Sequence, residues 1–148
     1  GYQLQEELER NQAEEGMVYA IEKNEEACAL IEENKRKFHT ANIEVVKGLA
    51  PEALEGLPIP THAFIGGSSG NMKEILQVLM AKNKNIRVVI NTIALESISE
   101  TLTCIKELPV KNVDIASVNI AKSRTLGRYH MMTGLNPIYI VSFDMDGE

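Results

Sequence analysis

The chain has 148 residues, 44% of them hydrophobic, so its length and apolar content suit one domain with a single core. A formal net charge of -6 excludes the basic field that binding nucleic acid requires. The two cysteines, Cys28 and Cys104, lie in separate helix-like stretches, which excludes a disulfide framework. No apolar run reaches the roughly 20 residues of a membrane span, and the start is too polar for a signal peptide. We therefore expect a cytoplasmic protein without membrane contact.

The first third of the chain predicts two strands joined by a helix. The run MVYAI over 17–21 reads as a buried strand, and IEVVK over 43–47 reads as a second one. Asn24 is the predicted N-cap of the intervening helix, which carries acidic residues in its first turn and basic residues in its last. Pro51 then begins a short helical turn, at a position where a helix tolerates proline.

The middle of the chain repeats the strand and helix alternation. A strand over 62–65 runs into a glycine-rich turn over 66–70. Asn71, with a glutamate three residues later, predicts a capping box at the start of the next helix. A fourth strand over 87–93 precedes a helix over 95–108. Such alternation is typical of parallel strands with crossover helices, and therefore of the α/β class.

The C-terminal part lacks a helix. It predicts a strand over 113–121, a loop over 122–129 and a strand over 137–143. Two strands without a helix between them form an antiparallel hairpin. A parallel sheet closed by such a hairpin favours the methyltransferase variant of the Rossmann-like fold, because a dehydrogenase domain usually stays parallel throughout.

An acidic residue stands at the end of the first predicted strand. Glu22, followed by Lys23, lies at the carboxyl end of that strand, where carboxylates bind ribose hydroxyls. The alternative is an ordinary solvated residue. Asn91 and Thr92 occupy the corresponding end of the fourth strand, and Thr92 is equally well explained as a turn residue.

Two further segments are candidate ligand sites. The turn over 66–71 combines three glycines with hydroxyl and amide groups, which allows a ligand to approach the backbone; a tight turn is the alternative. The segment 122–129 concentrates three positive charges, which suits an anionic substrate. The alternative interpretation is a solvated hairpin tip. The histidines His39, His62 and His130 are scattered, so no metal site is predicted.

Five stretches resemble one family. They are VYAIEKNEEA, GLAPEAL, FIGGSSGN, INTIALES and AKSRTLGRYHMMTGLNPIYIV, in that order. Together they resemble the precorrin C5,15-methyltransferases of the cobalamin pathway, and in particular the decarboxylating domain that acts at C15, over roughly residues 16 to 143. The resemblance implies a Rossmann-like class I fold, S-adenosylmethionine as methyl donor, a tetrapyrrole (precorrin) substrate with many carboxylates, and loss of carbon dioxide from an acetate side chain.

The resemblance also implies roles for individual residues. The residues expected to bind the donor are Glu22, Lys23, Leu49, Ala50 and Gly66. The residues expected to bind the tetrapyrrole are Gly67, Ser68, Asn71, Asn91, Thr92, Arg124 and Arg128. No residue is assigned as a catalytic acid or base.

Two departures from the family pattern bear on donor binding. The family opens with an acidic, glycine-rich loop, whereas residues 1–15 form a polar N-terminal segment without one; we expect this segment to be incomplete and residues 16–148 to form the methyltransferase domain. The family usually has Asp where Leu49 stands, and Leu cannot accept the hydrogen bond of the adenine amine. We expect weakened donor binding.

Alternatives remain open at this point. The chain could be a dehydrogenase-like nucleotide binder, which the hairpin disfavours, another small-molecule methyltransferase, or a degenerate Rossmann-like domain kept for assembly in a bifunctional chain. The resemblance further implies a homotetramer and a fusion or association with a C5-methylating domain.

Overall fold

The structure is a computed structural model that describes residues 16–66 and 70–147. The chain divides into two compact units, one ending at Leu57 and the other beginning at Pro58. The polar segment predicted at 1–15 lies outside the described residues, and its boundary stays a prediction.

The first unit is a strand, helix, strand element. β1 (Val18–Glu22) and β2 (Ile43–Lys47) are parallel, with Val18 opposite Ile43, and α1 (Glu25–Phe38) connects them. The Asn24 side chain accepts a hydrogen bond from the Ala27 N–H at 3.1 Å, which confirms the predicted N-cap. A 3₁₀ turn over Glu52–Leu54 follows β2, as the proline predicted.

The second unit contains a mixed four-stranded sheet. Its strands, in spatial order, are β3 (His62–Ile65), β4 (Arg87–Thr92), β8 (Ile138–Met145) and β5 (Val110–Val118). β3 and β4 are parallel, whereas β8 is antiparallel to both β4 and β5. The α/β class predicted from the alternation is confirmed, and the predicted last strand runs antiparallel to its neighbours.

The core of this unit lies between the sheet and the two helices of the unit, α2 (Met72–Lys82) and α3 (Leu95–Glu107). On β4, Val88 lies opposite Phe143 of β8, and Ile90 lies opposite Val141. All four of these side chains are fully buried. Burying side chains of this size contributes about 1.5–3 kcal/mol each, so this cross-strand cluster stabilises the sheet.

The start of α2 differs from the prediction. Asn71 makes no side-chain cap hydrogen bond. Instead, the Met72 N–H donates to Oε1 of Glu100 on α3 at 2.8 Å. The predicted capping box is therefore wrong, and at the N-terminus of α2 a carboxylate of the neighbouring helix accepts from the first backbone N–H.

The segment over 122–129 is not a loop, so that prediction is also wrong. β6 (Ala121–Leu126) and β7 (Tyr129–Gly134) pair antiparallel as a separate two-stranded ribbon. Gly127 and Arg128 form its turn, with Gly127 at φ 62°. A glycine with positive φ at the first central position is typical of a type II′ turn, whose twist suits the flanking strands.

Candidate functional site

In the first unit, polar groups gather at the carboxyl end of β1. Glu22 Oε1 accepts a hydrogen bond from the Asn24 N–H at 2.9 Å, and the Glu22 carbonyl accepts one from the Gly48 N–H at 3.0 Å. These bonds hold the Glu22 carboxylate at the strand end, just before the N-terminus of α1. A carboxylate at that place can accept hydrogen bonds from ligand hydroxyls.

The other donor-site candidates of this unit lie at the same edge. Because β1 and β2 are parallel, with Glu22 opposite Lys47, their carboxyl ends meet there. Lys23 follows Glu22 directly, and Leu49 and Ala50 follow β2 after Gly48. Leu49 is 55% exposed, so an apolar side chain stands on a surface proposed to meet an adenine.

In the second unit, the carboxyl ends of β3 and β4 bring Gly66 near Asn91. Ile65 lies opposite Ile90, and continuing this parallel register places Gly66 beside Asn91. Asn71 precedes α2. Two of the substrate candidates, Gly67 and Ser68, lie outside the described residues.

Asn91 and Thr92, the last two residues of β4, have different surroundings. The Thr92 side chain is 2% exposed, and its hydroxyl donates to the Tyr139 carbonyl at 3.4 Å. Asn91 is 8% exposed, and within residues 16–66 and 70–147 its Oδ1 has no hydrogen-bond partner. Successive strand residues point to opposite faces, which explains how neighbours acquire different surroundings.

The basic candidates lie on the ribbon, where every residue of both strands is exposed. Arg124 lies opposite Met131 and Lys122 lies opposite Thr133, so the two cations share one face. Leu126 and Tyr129 extend this face toward the turn. Arg128 sits in the turn itself, at the tip of the ribbon.

Between α2 and α3 lies a groove that the sequence did not indicate. The Lys73 ammonium donates to Glu107 Oε2 at 2.8 Å, and this hydrogen bond raises the pKa of Lys73. Burial, reinforced by nearby Glu100, raises the pKa of Cys104, which keeps that thiol protonated at neutral pH. The hydrogen bond between Lys73 and Glu107 joins the two helices.

Within residues 16–66 and 70–147, no group of three or more His, Cys, Asp or Glu is arranged to hold a metal ion. In the same part of the chain, no helix is long and apolar enough to cross a membrane.

Two solved structures with a similar fold show the class of protein to which this fold belongs. A precorrin-6y C5,15-methyltransferase from Geobacter metallireducens aligns with a TM-score of 0.77 and 32% identity, over 87% of this chain and 68% of that one. A precorrin 8w decarboxylase from Methanobacterium thermoautotrophicum aligns with a TM-score of 0.76 and 35% identity, over 85% of this chain and 68% of that one. The fold is that of the Rossmann-like methyltransferases.

The family follows from the sequence. Residues 7–144 match the family model of the precorrin methyltransferase domain. A probable cobalt-precorrin-6B C(15)-methyltransferase (decarboxylating) from Methanothermobacter thermautotrophicus is 36% identical over 126 residues, which cover 84% of this chain. The chain belongs to the precorrin methyltransferase domain family, which confirms the resemblance. It spans 65% of the length of that relative.

Proposed function

We propose that this chain is the catalytic domain of an enzyme of cobalamin biosynthesis, which methylates C15 of a precorrin and releases carbon dioxide from an acetate side chain. The observation that carries the proposal is the 36% identity to a relative of that name over 84% of the chain. The Rossmann-like fold and the carboxylate at the end of β1 support it.

S-adenosylmethionine is the proposed donor, and it supplies an electrophilic methyl group when bound. The proposed donor-binding residues are Glu22, Lys23, Leu49, Ala50 and Gly66. Glu22 fits this role, because its carboxylate is held at a strand end. Leu49 fits less well, because its exposed side chain offers no acceptor to an adenine amine. The residues present therefore suit the ribose better than the base.

The tetrapyrrole is proposed to meet the ribbon. Arg124 and Arg128 suit this task, because a planar guanidinium binds a carboxylate through two hydrogen bonds and stays ionised. The other proposed contacts lie at the strand ends and at the start of α2: Gly67, Ser68, Asn71, Asn91 and Thr92. The buried hydroxyl of Thr92 already has a backbone partner, so the case for Thr92 is weaker than for Asn91.

The protein is further proposed to be a homotetramer. Large apolar side chains are exposed on the ribbon, including Tyr129 at 71% and Met132 at 68%. A two-stranded ribbon is marginally stable alone, and exposed apolar surface of this kind is typical of protein contacts. Light scattering should report an oligomer, and Leu126→Glu should reduce its size. A fused C5-methylating domain and a cytoplasmic location stay predictions.

The decisive experiment is turnover of a precorrin with S-adenosylmethionine by the full-length protein. Mass spectrometry should show a product that has gained one methyl group and lost one carbon dioxide. Glu22→Ala should weaken donor binding by about 1–3 kcal/mol, the value of a hydrogen bond to a charged group. Glu44→Ala, an exposed glutamate in the middle of β2, is the matched control. Absence of both donor binding and product would favour the degenerate assembly domain, an alternative that Leu49 supports.

A further inference from the structure

Asn91 stands out among the polar residues of the second unit. The residue is more than nine-tenths buried, at 8% exposure, yet Oδ1 has no hydrogen-bond partner within the described residues. Buried side-chain oxygens in native proteins are nearly always satisfied, because an unpaired one destabilises the fold. By contrast, the buried hydroxyl of Thr101 on α3 donates to the Ser97 carbonyl at 2.8 Å. In the described part of the chain, Asn91 Oδ1 therefore lacks the partner that a buried polar atom normally has.

The position of Asn91 suits a ligand. It lies near the carboxyl end of β4, where ligands bind in open α/β sheets. Val88 and Ile90 point to the fully buried face of the sheet, so Asn91 points to the other one. Gly66 follows the last residue of β3 and lies beside Asn91 on that face of the sheet. It has no side chain. Among the described residues, a Cβ built at Gly66 would meet only the Phe64 ring, at 3.5 Å. Phe64 of β3 and Gly66 therefore lie on the same face of the sheet as Asn91.

We propose that Asn91 Oδ1 accepts a hydrogen bond from an N–H or O–H group of a bound ligand at this strand end. The inference rests on the proposed function for the identity of the ligand. A carbonyl oxygen cannot bind an ionised carboxylate, which offers only acceptors. The group it takes is an amine or hydroxyl of the methyl donor or a ring N–H of the tetrapyrrole.

The oxygen reaches a ligand by a turn of its terminal amide. The exposed part of Asn91 belongs to its other atoms, because Oδ1 is inaccessible. The torsion of an asparagine amide is broad, so reorientation is not blocked by a steep barrier. Such a turn exchanges the positions of Oδ1 and Nδ2, so the oxygen becomes available to a ligand donor while the amide NH₂ group takes the buried position.

The experiment compares two buried polar side chains in the full-length protein. Asn91→Leu removes the unpaired oxygen, so the Tm of the ligand-free protein should stay the same or rise. Thr101→Val removes a hydroxyl that has a hydrogen-bond partner and should lower Tm by about 2–4 °C. This readout does not depend on the proposed function. A Tm for Asn91→Leu as low as that for Thr101→Val would overturn the inference.

Ligand binding gives the second readout. Asn91→Leu should weaken binding of S-adenosylhomocysteine by about five- to tenfold if the donor molecule provides the N–H or O–H group. If the tetrapyrrole provides that group, Asn91→Leu should instead raise the precorrin KM by a similar factor. Asn91→Ala, which cannot overpack the site, should show the same loss, and Thr101→Val should show neither. If wild-type binds both ligands and neither constant changes in the variants, the inference is wrong. Failure of wild-type to bind either ligand would instead contradict the proposed function.

Discussion

Glu100 on α3 accepts a hydrogen bond from the backbone N–H of Met72, the first residue of α2, across 2.8 Å. The first N–H groups of a helix have no partner within the helix and carry a partial positive charge. A carboxylate at this place therefore satisfies one N–H group and the helix dipole together. Glu100 joins the two helices of the second unit at the start of α2.

Glu100→Ala should lower the free energy of unfolding by about 0.5–2 kcal/mol, the range observed for loss of a helix cap. Glu100→Gln keeps a neutral acceptor and should lose less. Urea unfolding followed by circular dichroism measures both values. An unchanged midpoint for Glu100→Ala would show that the contact contributes nothing to stability.

The pKa of Asp144 should rise when Asn112 is replaced. Asn112 Nδ2 donates to Asp144 Oδ2 at 2.8 Å, and Arg87 Nη1 donates to Oδ1 at 3.1 Å. The bond from Asn112, and then that from Arg87, hold the pKa of Asp144 below its ordinary value of 3.8. Asn112→Gly should raise this pKa in an NMR titration. Glycine is chosen because Asn112 has a φ of 56°, which glycine adopts without strain.

The same change predicts the acid dependence of stability. Because the folded pKa of Asp144 lies below the unfolded one, its contribution to stability is complete above the unfolded value and is lost as the pH falls through the folded value. Asn112→Gly should therefore flatten the fall in stability below about pH 4. An acid limb as steep as that of wild-type would contradict this assignment.

Arg128 is the better test of the basic ribbon, because it lies in the turn, whereas Arg124 shares a face with apolar Met131. Arg128→Gln should raise the precorrin KM about tenfold or more if the contact is shielded, and less than fivefold if it remains in water. Donor affinity should stay unchanged. Lys106→Gln, on α3, removes an exposed charge of the same sign as a control. A wild-type KM in Arg128→Gln would remove this residue from the substrate site.

Leu49→Asp should strengthen donor binding. Leu49 is 55% exposed at the edge where β1 and β2 end, so an aspartate there would stay solvated and could accept the hydrogen bond of an adenine amine. The expected gain is about two- to tenfold in S-adenosylhomocysteine affinity, measured by calorimetry. Leu49→Asn provides a neutral acceptor as a comparison. If both variants bind like wild-type, adenine lies elsewhere.

Much of the fold followed from local patterns. The strands over 43–47 and 62–65 agree with β2 and β3, and the cap at Asn24 was predicted from residues adjacent in sequence. Such features depend on neighbours a few positions away, which periodicity and capping rules describe directly.

The remainder depended on contacts distant in sequence. Met72 and Glu100 are 28 residues apart, so no local pattern could indicate that cap. The ribbon has no buried face, and hydrophobic periodicity therefore gave no signal for it. Gly127, two residues from the start of β7, was the available sign of a type II′ turn. The burial of Asn91 without a partner arises from tertiary packing.

The ribbon ends in a turn of only two residues, and that length determines its surface. With Leu126 opposite Tyr129, Arg124 faces the same side as Met131. A slip of one residue between the strands would place Arg124 opposite His130 or Met132, depending on the direction of the slip, and these side chains point to the other face of β7 in the present pairing. Deleting Gly127, or inserting a residue that shifts the pairing, would therefore change the neighbours on a whole face without replacing any side chain on it. The length of the turn, as well as the identity of its residues, therefore determines which side chains lie opposite one another on the ribbon.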